Sequence, residues 1–63
     1  MVISNLPKGY IELAHDGERA RTKLALLIDF GDQEVWIPES QLYEMWDDTL
    51  IIPEWLAEEK GLI

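Results

Sequence analysis

Apolar and polar positions along this chain sort it into short extended segments separated by turns. In "GYIELAHDGE", Tyr10, Glu12 and Ala14 alternate with Ile11, Leu13 and His15, the period-two pattern of a strand. Asp16-Gly17 then supplies the positive φ that a tight turn needs, so a hairpin is expected at "HDGE". "RARTKLALLIDF" begins polar and becomes apolar at every position from Leu24 to Ile28, which predicts a central strand covered on both faces. "DFGDQE" reads as a second turn, with Gly31 at its centre and Asp29 and Asp32 as side-chain turn formers. "EVWIP" follows as a strand with Val35 and Ile37 on one face and Trp36 on the other.

An apolar-Pro-Glu phrase occurs twice, at Ile37-Pro38-Glu39 and Ile52-Pro53-Glu54. Proline cannot donate to a sheet ladder, so each copy marks a strand exit. Proline also suits the first position of a helical turn. The first copy allows at most one turn before "LYEMWDD", where a short turn or strand bends at Asp47-Asp48. The second leads into "PEWLAEEK", which is made of good helix formers and closes on Gly61.

The predicted fold is α+β: three to five short strands in hairpin order, as a small antiparallel sheet or partly closed barrel, with one short C-terminal helix over residues 53–60. Residues 1–8 read as an irregular lead-in, with Val2, Ile3 and Leu6 placed to cover a core edge. Trp55 and Leu56 are expected to face the sheet, so Trp55→Ala should cost ~3–5 kcal/mol.

Size limits what this fold can hold. Sixty-three residues make one domain, which buries only ~60% of the surface its unfolded chain exposes. There is no cysteine for a disulfide or a thiolate zinc site. No run approaches the ~18 apolar residues of a membrane span, and "MVISNLPKG" lacks the features of a signal peptide. These readings lead us to expect a soluble protein in the cytoplasm of its host cell, without membrane association.

Charge sharpens the picture. The net is −8, unevenly spread. Residues 1–28 carry four bases against three acids, a net of +1, whereas residues 29–63 carry ten acids against Lys60, a net of −9. Such a field repels nucleic acid and attracts basic protein surfaces.

Catalytic chemistry has little to stand on. His15 is the sole histidine, and it reads as a surface or turn residue. Its neighbour Asp16 would point to the opposite face of a strand, and no serine or threonine has nucleophile-elbow context. "DFGDQE" lacks the length and spacing of a calcium loop, and no phosphate-cradling glycine motif occurs. The chain is therefore read as non-enzymatic, with no cofactor and no metal site.

Binding remains. Asp29, Asp32, Glu34, Glu39, Glu44, Asp47 and Asp48 gather on expected turns and strand ends, and Trp46 among them is the candidate aromatic anchor. A face of this kind can imitate the charge row of a nucleic-acid backbone and dock a basic host-protein surface, such as a nuclease or helicase channel. The alternative is a small barrel that binds single-stranded nucleic acid through Trp36, Tyr43 and Trp46 with Arg19, Arg21 and Lys23, against which the net charge acts. Open sheet edges also leave room for a homodimer.

"VWIPESQ" and "IIPEWLAEEKGLI" resemble short uncharacterised proteins of phages and other mobile elements. These carry a Trp-apolar-Pro-x-Ser-Gln strand followed by a terminal apolar-Pro-Glu-Trp-Leu-Ala-x-Glu-Lys-Gly-Leu segment. The likeness covers Asp29 to Ile63 and carries no assigned functional residue. It implies an accessory factor, or an inhibitor of a host system.

Overall fold

The computed structural model describes residues 6–63. Of the expected lead-in, Val2 and Ile3 lie outside the described residues, while Leu6 is half-buried. Six short strands follow: β1 (Tyr10–Ala14), β2 (Gly17–Arg21), β3 (Ala25–Asp29), β4 (Glu34–Pro38), β5 (Glu44–Met45) and β6 (Thr49–Pro53). One helix, α1 (Glu54–Glu59), ends the chain, and a single 3-10 turn (Glu39–Gln41) separates β4 from β5. The fold class is α+β, as the sequence predicts.

The strands form two antiparallel sheets of three, ordered β1-β6-β5 and β2-β3-β4, and they do not close into a barrel. The strand count exceeds expectation because β2, "GERAR", is a polar edge strand. It shows no apolar alternation to read, yet it pairs with β3 along its length.

β1 and β2 do not pair with each other, so "HDGE" is no hairpin. It is the crossing from one sheet to the other. The His15 N–H donates to the Asp48 carbonyl at 2.9 Å, continuing the first sheet, and the Asp16 N–H donates to the Asp29 carbonyl at 2.7 Å, beginning the second.

The inner faces meet in one core. Leu26, Ile28, Val35 and Ile37 come from one sheet, Leu50 and Ile52 from the other, and Leu56 and Ala57 from α1. β3 alternates between buried and half-buried positions instead of being covered on both faces, and Leu24 is 77% exposed. The strand buried on both faces is β6. Its Ile51 is fully buried on the side away from the core, between its cross-strand neighbours Glu12 and Glu44.

Pro38 leads into the single 3-10 turn, and Pro53 leads into α1. The helix buries Leu56 and Ala57 but leaves Trp55 53% exposed, contrary to the sequence reading. Successive helical residues are turned by about 100°. With the buried arc centred between Leu56 and Ala57, Trp55 lies nearly opposite it. Gly61, with φ +74°, closes the helix: its N–H donates to the Glu58 carbonyl, and the Leu62 N–H reaches back to Ala57 at 2.8 Å. These two bonds form a Schellman motif, and Leu62 packs against the core as that motif favours.

Candidate functional site

His15 organises one end of the molecule. It is only 5% exposed, so the expectation of a surface residue does not hold. The β5–β6 turn covers it, because the chain crosses between sheets at this point. Its Nδ1 accepts the Gly17 N–H at 2.9 Å, which places the ring proton on Nε2. Nε2 then donates to the Trp46 carbonyl at 2.8 Å and the Thr49 carbonyl at 3.1 Å. With all its hydrogen-bonding capacity directed into backbone, His15 is a structural tie.

That tie brings separate acidic turns together. Asp48 contributes the carbonyl that receives the His15 N–H. Asp16 follows, and its carboxylate lies against Gly31: a Cβ added there would sit 3.3 Å from Asp16 Oδ2. Gly31, with φ +101°, is the first residue of the Gly31-Asp32 turn between β3 and β4. Asp47-Asp48, Asp16 and Asp32 therefore share one end of the molecule. Among the described residues, no lysine or arginine forms an ion pair with any of them.

Other expected site acids are placed differently. Asp29 is occupied: the Gly31 N–H and the Arg19 guanidinium, at 2.7 and 2.6 Å, hold its carboxyl below the usual aspartate range. Glu34, opposite Asp29 in the β3–β4 register, adds to the negative field around Arg19. Glu44 stands apart on the outer face of β5, opposite Ile51.

Glu39 belongs to a second feature, a cleft of about 290 Å³ on the open side between β2 and β5, which are edge strands of different sheets. Leu26, Leu42 and Met45 line it with apolar surface, and Trp46 and Asp47 line the β5 side. A β-bulge makes the opposite wall. Glu18 pairs with Ile28 and Arg21 with Leu26, leaving Arg19 as the extra residue. The bulge turns both Glu18 and Arg21 inward, although simple alternation would oppose them. Their side chains form two bonds of 2.9 Å, and Arg21 Nη1 approaches Glu39 at 3.6 Å. Arg21 holds the Glu18 carboxyl below its ordinary range.

The residues of the nucleic-acid alternative do not meet. Trp36, 43% exposed, lies in the outer row Ala20-Leu27-Trp36 of the second sheet. Tyr43 rests against Tyr10 in the first sheet, ring centroids 5.4 Å apart, and Trp46 lines the cleft. Arg19 and Arg21 are both engaged by carboxylates.

No protein-family model, curated protein or solved structure matches this chain. Among the described residues, no three His, Asp or Glu side chains are grouped to hold a metal ion, and no helix is long and apolar enough to cross a membrane. Sequence reasoning missed Asp16, Glu18, Leu42 and Met45, and it placed Arg21 only in the nucleic-acid alternative. Their roles depend on the inter-sheet crossing and the bulge, and neither leaves a periodic signal.

Proposed function

We propose that this protein is a non-enzymatic accessory or inhibitor protein. It acts inside a host cell by docking its acidic end onto a basic surface of a host protein, in place of nucleic-acid charge. The observation that carries this reading is the convergence of Asp16, Asp32, Asp47 and Asp48 on one end, where none of them is in an ion pair among the described residues and the cation that Asp16 feels, Arg19, is already bonded to Asp29. These carboxylates sit on short aspartate side chains, so little side-chain ordering opposes docking. Exposed like charges on rigid backbone also steer a basic partner from a distance. The mobile-element resemblance supports an accessory role, and a nuclease or helicase channel supplies a surface of the required sign.

The test is retention of proteins from nuclease-treated host lysate on the immobilised chain, eluted with a salt gradient. A basic nucleic-acid enzyme should be retained and released by moderate salt, and Asp47→Asn/Asp48→Asn should retain much less of it. Equal retention by the variant, or retention indifferent to salt, would reject the reading.

A further inference from the structure

We infer that the cleft between β2 and β5 receives a single arginine side chain of the partner protein. This rests on the binding reading above and adds the chemistry of the group that is bound.

The cleft has the size, polarity and charge for that occupant. Its volume, about 290 Å³, lies at the lower bound for small-molecule pockets and suits one long side chain better than a cofactor. Leu42 and Met45, over the buried Leu26, offer apolar surface to an aliphatic stem, while Glu18, Glu39 and Asp47 bring carboxylates to the same space. A stem that buries its methylenes and keeps a cationic head near carboxylates matches this division.

The three carboxylates face one resident cation. Arg21 directs Nε and Nη2 at Glu18 and comes only within 3.6 Å of Glu39, so Glu39 and Asp47 keep acceptor capacity for a second guanidinium. Arginine fits better than lysine because its planar fork can bridge two carboxylate acceptors. Trp46 adds an aromatic wall on which a guanidinium can stack. An anion is disfavoured, since Arg21 is already neutralised and further carboxylates surround it. An added peptide strand is disfavoured too, because β5 offers only Glu44–Met45 as a template.

The probe is acetyl-Gly-Arg-Gly-amide, titrated at low ionic strength into isotopically labelled full chain and followed by NMR. The citrulline tripeptide, with nearly the same shape and no charge, is the control. We expect saturable shifts at the Met45 methyl, the Trp46 indole N–H and the Arg21 Nε–H, with citrulline binding about tenfold weaker. Glu39→Gln should weaken binding about two- to fivefold, as should Asp47→Asn. Both positions are exposed, so these variants keep the fold. Equal binding of the citrulline peptide overturns the inference. So do shifts confined to the Asp16, Asp32 and Asp48 turns, or no shifts at all.

The two tests fail separately. A salt-sensitive basic partner without arginine-specific shifts in the cleft removes this inference and leaves the acidic-end reading intact. Cleft shifts with no retained partner retain the guanidinium site and remove the acidic-end reading.

Discussion

The His15 imidazole donates through Nε2 to the Trp46 carbonyl, 2.8 Å away and 31 positions along the chain. This bond clamps the crossing between the sheets to the turn that carries Asp47 and Asp48. The ring is buried and directed at backbone on both sides, so its removal leaves a cavity and three backbone groups without their side-chain partner.

His15→Ala is accordingly expected to cost about 2–4 kcal/mol, combining the cavity with lost buried hydrogen bonds. Urea unfolding followed by tryptophan fluorescence measures it. A loss below ~1 kcal/mol would show that the turn docks without the imidazole.

Leu56 and Trp55 form a second contrast. Leu56→Ala removes a buried side chain between sheet and helix and should cost about 2–5 kcal/mol. Trp55→Ala, on the exposed side, should cost less than ~1 kcal/mol. Paired thermal melts decide the matter, and the reverse order would mean that the helix docks through Trp55.

On the outer face of the first sheet, Glu12 Oε2 and Thr49 Oγ1 are buried without hydrogen-bond partners among the described residues. Thr49→Val keeps the shape and the β-branch while removing an unsatisfied hydroxyl. It should stabilise the protein by about 1 kcal/mol. A lower denaturation midpoint for the variant would show that the hydroxyl has a partner in solution.

Acid should weaken the β2–β3 edge. The Asp29 carboxyl is held down first by the Gly31 N–H and then by Arg19, and the Glu18 carboxyl by Arg21. The unfolded chain therefore takes up protons at higher pH than the folded one. The stability these groups contribute is complete above the ordinary carboxylate range and is lost as pH falls from about 4.5 through the lowered folded values. Solvent exposure keeps the contribution small and sensitive to salt. Asp29→Asn should flatten the decline in stability between pH 5 and pH 3, two pH values chosen to bracket that range. Urea midpoints at low salt give the slopes, and identical slopes would remove Asp29 from the account.

The pattern along the chain was sufficient for the α+β class, for β4 with Trp36 outward, for both proline-marked strand exits and for the Gly61 helix stop. Each depends on local physics: side-chain alternation, the missing proline N–H, or glycine at positive φ. Tertiary structure decided which strands pair, and with that the fate of His15. A residue that looks solvent-facing beside Asp-Gly is buried because another turn, 31 positions later, folds over it. The bulge at Arg19 likewise turns Glu18 and Arg21 to one side against their spacing, and it forms through β2's register on β3. Trp55 faces solvent because helix phase is set by which residues the two sheets leave room to bury, and that room belongs to Leu56 and Ala57. Charge was legible as a total and as an imbalance between halves. Its separation into ion pairs, a cleft and an acidic end without ion pairs among the described residues required strands distant in sequence to become neighbours, which local propensity does not encode.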